Sequence, residues 1–128
     1  MAAIRAKNTK PELALRAALR RAGATGYRLH RKDIPGKPDL CFIRWKVAVF
    51  VDGVFWHGHP DHWNSETASS DYWRTKIARN IERDRAADAA LAKLHWSVVR
   101  IWDQDIKTDL TACVRRVTEA LSARGWTA

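Results

Sequence analysis

The sequence has few cysteines and no long apolar run, and both shortages narrow the class of protein. Only two cysteines occur in 128 residues, and Cys41 and Cys113 stand among apolar neighbours, which is typical of buried thiols in a reducing compartment. No apolar run approaches the length of a membrane span. Residues 1–20 mix charged and small side chains and lack the apolar segment of a signal peptide. We therefore expect a cytoplasmic protein with no membrane contact.

Acidic residues are also scarce relative to basic ones. The chain has 14 Asp and Glu against 23 Lys and Arg, which gives a net charge of +9 and a pI near 10.2. Such a balance indicates a polyanionic partner; nucleic acid is the usual one, and an anionic membrane surface is the rival. A hydrophobic content of 46% with 29% charged residues indicates a globular protein. With no linker or repeat, residues 1–128 are expected to form one domain.

Apolar periodicity and turn signals predict an α/β protein with a mixed sheet flanked by helices, in the order αβββαβα. The first helix is predicted over 9–23, because Thr9 and Glu12 have the spacing of a capping box. Further segments complete the order: strands at 27–32, 39–44, 46–52 and 97–102, a long helix at 70–94, and an amphipathic helix that ends before Gly125. The second and third strands are predicted to form a tight hairpin.

This hairpin brings two acids into register. A two-residue turn at 45–46 would place Asp39 directly opposite Asp52, with their Cβ atoms roughly 5 Å apart. Two carboxylates at this spacing repel unless a cation lies between them, and Mg²⁺ suits oxygen ligands. The alternative is that both acids occupy turns beside Pro38 and Gly53, where aspartate is common without any metal. A register slip of one residue would also separate the two side chains.

The acids belong to a larger set of ordered motifs. Pro38 and Asp39, followed by Asp52, are similar to the PD-(D/E)xK nuclease core, although Val54 stands where that core has lysine. Five segments occur in one order: "IRAKNTKPELALR", "PGKPDL", "VFVDGVFWHGH", "YWRTKIARNIERDR" and "HWSVVRIWDQD". Over nearly the whole chain they resemble the very-short-patch-repair (Vsr-like) DNA mismatch endonucleases, which nick one strand beside a T:G mismatch using Mg²⁺. The resemblance implies a restriction-endonuclease-like fold.

The resemblance also assigns roles to residues. It implies that Asp39 holds the metal, that His57 lies near the attacking water or scissile phosphate, and that Glu12 reaches into the active site. An imidazole suits proton transfer at neutral pH, although a hydrogen-bonded loop histidine is the alternative for His57. The capping box explains Glu12 without any catalytic role. The best-known members carry histidine where this chain has Asp52, so metal binding by two carboxylates is expected here.

A second group of residues is matched to DNA binding. Phe55, Trp56 and Trp73 match the aromatics that the family inserts beside the mispair, where stacking is already weak. For Trp73 the alternative is core packing beside Ile77 and Ile81. Four basic residues of the long helix are expected to contact phosphates, and a solvated helix face is the alternative: Arg74, Lys76, Arg79 and Arg83.

Zinc is treated separately, because the best-known members bind a structural zinc ion. Asp61 and Gln104 stand where those members have cysteines, so no thiolate is left and no structural zinc is expected. The spacing of His59, Asp61 and His62 is compatible with a metal site of nitrogen and oxygen ligands but does not require one.

Two other functions remain open. One is a non-catalytic DNA-binding module on the same fold, and the other is a restriction or defence nuclease that cuts unmismatched DNA. The resemblance implies a monomer in the bacterial cytoplasm, associated with the nucleoid and working beside mismatch-repair proteins on double-stranded DNA.

Overall fold

Four strands form a mixed sheet with helices on both faces, as predicted. The computed structural model describes residues 8–54 and 71–128. Its helices are α1 (Lys10–Arg21), α2 (Asp71–Lys93), α3 (Asp103–Thr108) and α4 (Leu110–Ser122). Its strands are β1 (Arg28–Leu29), β2 (Leu40–Phe42), β3 (Val47–Asp52) and β4 (Ser97–Trp102). The α/β class is confirmed, but the order is αβββαβαα, because the short helix α3 precedes the last helix.

The local signals at the start of α1 place the helix correctly. The Oγ1 of Thr9 accepts a hydrogen bond from the backbone N–H of Glu12, at 3.4 Å. The reciprocal half of the capping box is displaced by one residue, because Oε1 of Glu12 accepts from the N–H of Asn8, at 3.3 Å. The other oxygen of this carboxylate is therefore available for contacts elsewhere.

The strand order is β1-β2-β3-β4. Strand β2 runs antiparallel to β1 and β3, whereas β4 runs parallel to β3 after the α2 crossover. Alternate residues of β3 are buried on opposite faces: Val47 and Val49 belong to the cluster with α1 and α4. Ala48 and Phe50 pack with Leu91 of α2 on the other face. The sheet is thus covered on both sides.

The predicted register of the β2–β3 hairpin is wrong. Phe42 pairs with Val47, so the connection comprises residues 43–46 and not a two-residue turn. Backbone hydrogen bonds of 3.1 and 3.3 Å close this turn, which makes the longer connection stable. The register moves by two residues, and Asp39 does not lie directly opposite Asp52.

Three further predictions concern the cysteines, membrane contact and the length of β1. Cys41 and Cys113 are buried free thiols, as expected. Within residues 8–54 and 71–128, no helix is both long and apolar enough to cross a membrane. Strand β1 is shorter than the predicted segment 27–32.

Candidate functional site

Several polar residues meet at one end of the sheet. Because β2 is antiparallel to its neighbours, its first residue, Leu40, pairs with Leu29 at the end of β1 and with Val49 in the middle of β3. His30 follows β1 and Asp39 precedes β2, and the N–H of His30 donates to the carbonyl oxygen of Asp39, at 3.3 Å. This bond continues the pairing of Leu29 with Leu40. His30 is therefore the cross-strand neighbour of Asp39 on the β1 side, and on the β3 side Asp52 does not lie directly opposite Asp39.

Helix α1 adds a second carboxylate to this end of the sheet. Glu12 is only 2% exposed, and its Oε2 lies 2.9 Å from Nε2 of His30. The same Nε2 lies 3.9 Å from Oδ1 of Asp39. One donor atom from each of Glu12, His30 and Asp39 lies within 4.8 Å of the others, and we call these residues the Glu12–His30–Asp39 cluster. Arg16 donates to Oε2 of Glu12, at 3.1 Å.

The pKa of Asp39 is raised at its position in the Glu12–His30–Asp39 cluster. Burial raises the pKa of Asp39 to about 6, and the negative charges of Glu12 and, less strongly, of Asp52 add to the effect. A hydrogen bond of 2.7 Å from the N–H of Val51 to Oδ2 opposes the rise, as does the nearby His30. Two crowded carboxylates and an imidazole suit a divalent cation, which would relieve the repulsion between the acids. The donor set therefore fits the divalent metal ion that the resemblance implies.

Asp52 has a different set of contacts. It is 5% exposed, and both of its oxygens accept from Nη1 of Arg100, at 3.2 and 3.1 Å. Arg100 also lies 3.5 Å from Asp84 and 2.8 Å from Asp88 on α2, and its guanidinium lies 4.0 Å from the centre of the Phe50 ring. We call these ion pairs the Arg100 network. Burial lowers the pKa of Arg100, but its bond to Asp88 and the charges of the three acids raise it overall.

These contacts change the interpretation of the predicted acid pair. Asp39 and Asp52 were expected to hold the metal together, directly opposite one another, and that placement is wrong. Asp52 instead joins β3 to β4 and, through Arg100, to α2. Its catalytic and metal-binding role stays a prediction, and its contacts favour a structural one.

Three of the four basic residues predicted to bind DNA lie along a cleft of about 350 Å³ beside α2. Six residues line this α2 cleft: Asp71, Tyr72, Thr75, Lys76, Arg79 and Arg83. Arg79 and Arg83 are exposed, so their guanidinium groups can meet a solvent-borne polyanion. Arg74 is also exposed but lies 3.4 Å from Asp71.

Trp73 lies on a different stripe of α2 from the cleft. It is partly buried, stands one helical turn before the buried Ile77, and meets the ring of Tyr72 edge-on at 5.0 Å. This position agrees with the packing alternative, and the DNA-binding role stays a prediction. The other residues predicted around the mispair and the possible second metal site lie outside the described residues: Phe55, Trp56, His57, His59, Asp61 and His62.

Sequence reasoning missed two residues of this region. His30 is the last residue of the strand-like run "YRLH". Its position at the end of a strand was the sequence signal for a site residue, because that end lies next to Asp39 in the sheet. Arg100 interrupts the apolar strand "SVVRIW". A charge in such a strand needs a partner, because an unpaired buried charge is strongly unfavourable.

The chain is similar to known strand-nicking DNA endonucleases. The family described as DNA mismatch endonuclease Vsr matches residues 1–65. The type II nicking enzyme V.NaeI of Lentzea aerocolonigenes is 43% identical over 122 residues, which cover 89% of this chain and 71% of that protein. The type II nicking enzyme V.NmeDIP of Neisseria meningitidis serogroup C is 41% identical over 121 residues, covering 91% and 80%.

A more distant relative carries the mismatch function in its name. The DNA mismatch endonuclease Vsr of Escherichia coli K12 is 32% identical over 104 residues, which cover 80% of this chain and 66% of that protein. The family match includes the segments that supply Glu12, His30 and Asp39. The chain belongs to the Vsr family of strand-nicking DNA endonucleases.

Proposed function

We propose that this endonuclease nicks one strand of DNA beside a T:G mismatch, with Mg²⁺ held by Asp39 and Glu12. The observation that carries the proposal is the Glu12–His30–Asp39 cluster, in which separate elements bring two acids to one end of the sheet. The name of the Escherichia coli relative supports the mismatch as substrate. The net charge of +9 supports duplex DNA as partner.

The chain's own residues prepare this site in specific ways. The N–H of Val51 donates a hydrogen bond to Oδ2 of Asp39 and thereby fixes the orientation of the carboxylate. Arg16 and the helix cap hold Glu12 in its buried position. When bound, a divalent cation lowers the pKa of a water nucleophile and stabilises the leaving oxygen. His57 is proposed as the group that moves the proton, in keeping with its predicted role.

DNA binding is proposed to use the α2 cleft together with Phe55 and Trp56. Lys76, Arg79 and Arg83 follow one side of α2 beside this cleft, and their charges suit phosphate contacts that set register without reading sequence. Phe55 and Trp56 are proposed to wedge beside the mispair, where the weakened stack makes insertion less costly.

A second candidate function follows from the names of the nearer relatives. Both V.NaeI and V.NmeDIP are called type II nicking enzymes. Nicking of fully matched duplex DNA by the same site is therefore the alternative, and it needs no change in the chemistry of the Glu12–His30–Asp39 cluster.

A nicking assay separates the two candidates. End-labelled duplexes with and without one T:G pair are incubated with protein and Mg²⁺ or with EDTA. We expect a metal-dependent nick in the T:G duplex alone, abolished in Asp39→Asn and retained in Asp33→Asn, which removes the same charge from an exposed site. Equal nicking of both duplexes would establish the alternative. Persistence of the nick in Asp39→Asn would refute the proposed site.

A further inference from the structure

We propose that His30 is a third ligand of the cation in this site, and that its imidazole nitrogen favours transition-metal ions over Mg²⁺. The inference rests on the proposed function, since it takes Asp39 and Glu12 as ligands of the same cation. It adds a residue that determines which ion the site prefers.

The distances around His30 suit a shared ion. Nitrogen and oxygen ligands lie about 2.1 Å from metals of this size, so two ligands of one ion are at most about 4.2 Å apart. The Nε2 of His30 lies 2.9 Å from Oε2 of Glu12 and 3.9 Å from Oδ1 of Asp39. Both separations fall within that limit. The donors of Glu12 and Asp39 lie within 4.8 Å of each other, so a side-chain adjustment of less than about 1 Å brings all three to one ion.

The backbone holds the imidazole in this position. The N–H of His30 is bonded to the carbonyl oxygen of Asp39, and its φ of 48° ends the strand at this residue. The side chains of His30 and Asp39 are 12% and 24% exposed, whereas that of Glu12 is 2% exposed. Glu12 thus forms the floor of the site, and the more exposed His30 and Asp39 leave a path for an ion.

The nitrogen changes the chemistry of the site. Carboxylate oxygens suit Mg²⁺ and Mn²⁺, whereas imidazole nitrogen suits later transition-metal ions such as Co²⁺ and Ni²⁺. A neutral imidazole that binds through Nε2 carries its proton on Nδ1. Loss of this nitrogen should therefore weaken Co²⁺ binding much more than Mg²⁺ binding. If His30 only hydrogen-bonds Glu12, both ions should be affected alike.

The test compares ion affinities of the intact chain. Binding of Mg²⁺ and of Co²⁺ is measured by calorimetry without DNA, in the same buffer for all variants. In His30→Gln, whose amide can still donate to Glu12, Co²⁺ affinity should fall at least about tenfold, with a much smaller change for Mg²⁺. His30→Asn gives an independent variant, because asparagine accepts positive φ readily.

A spectroscopic measurement identifies the nitrogen itself. Pulsed electron paramagnetic resonance of bound Mn²⁺ detects coupling to a ligated ¹⁴N nucleus, and this signal should disappear in His30→Gln. His95→Gln is the matched control, since His95 is exposed and also has a positive φ, 64°. His57→Gln tests the other histidine assigned to the site.

Each outcome decides between named possibilities. Equal loss of Mg²⁺ and Co²⁺ affinity, or a nitrogen signal that survives in His30→Gln, would overturn the role of His30 and leave the proposed function intact. Loss of the signal in His57→Gln alone would also overturn it. Unchanged ion binding in Asp39→Asn would instead refute the metal site on which the proposed function depends.

Discussion

Replacing Arg100 with methionine removes the cation shared by three carboxylates while keeping a long unbranched side chain. Asp52, at 5% exposed, is the most deeply buried of those acids, and its bonds to Arg100 are 3.1 and 3.2 Å long. Removing one partner of a buried ion pair typically costs about 3–5 kcal/mol, because the remaining charge stays desolvated. We expect Arg100→Met to lower the free energy of unfolding by about that amount.

Urea unfolding of the metal-free protein, followed by tryptophan fluorescence, measures this loss. The double variant Asp52→Asn/Arg100→Met should recover part of the stability lost in Arg100→Met, because the desolvated negative charge of Asp52 is then gone. The coupling between the two positions should be about 0.5–3 kcal/mol. Arg31→Met is the matched control: its bonds to Asp33 are 2.6 and 2.7 Å long, but both side chains are exposed, so little change is expected.

Two results would refute this reasoning. A loss below about 1 kcal/mol in Arg100→Met would mean that the Arg100 network behaves like a surface ion pair. A stable Asp52→Asn variant with strongly weakened Mg²⁺ binding would return Asp52 to the metal site. We expect the reverse, namely reduced stability with Mg²⁺ binding retained.

Three further predictions concern single positions. Because the pKa of Asp39 is raised to about 6, the folded metal-free protein binds this proton more tightly than the unfolded chain, so stability falls as pH rises from about 4 to about 6. Above this pH range the ionised Asp39 lowers the free energy of unfolding by about 3 kcal/mol, and Asp39→Asn should remove that loss. Urea unfolding of both proteins at about pH 4 and at about pH 6 measures the difference. Gly36→Ala should destabilise the fold by about 1–3 kcal/mol, because φ is 80° and a Cβ there would lie 2.7 Å from that of Ala87 and 3.1 Å from the Phe50 ring; an unchanged melting temperature would contradict this packing. Burial raises the pKa of Cys41 to about 11, so a thiol reagent at about pH 8 should react with it far more slowly than with unfolded protein.

Local signals account for the elements that the sequence predicts well. Thr9 and Glu12 identify the start of α1 without reference to the rest of the chain, because a helix cap involves only neighbouring residues. The continuous apolar run of β3 and the long apolar pattern of α2 are similarly local. Glu12 and Asp39, which the resemblance assigns to one site, do lie close together, and their roles stay predictions.

Nonlocal geometry accounts for what the sequence did not predict. The tight turn at 45–46 and the observed turn at 43–46 keep the same face of β3 inward, so the hydrophobic pattern does not distinguish them. The partner of Asp39 is decided by the pairing of β1 with β2, which rests on only two residue pairs. The contacts of Arg100 with Asp84 and Asp88 depend on where α2 crosses the sheet, and no sequence spacing reports that.

The hydrogen bond from Val51 to Asp39 determines how an inactive form of the enzyme should be made. An asparagine at position 39 keeps an oxygen that can accept from this N–H, whereas an alanine deprives a partly buried strand amide of its acceptor. Asp39→Asn should therefore lose cleavage while preserving the end of β3. Such a protein would serve as a non-cutting reagent for capturing and crystallising the bound DNA.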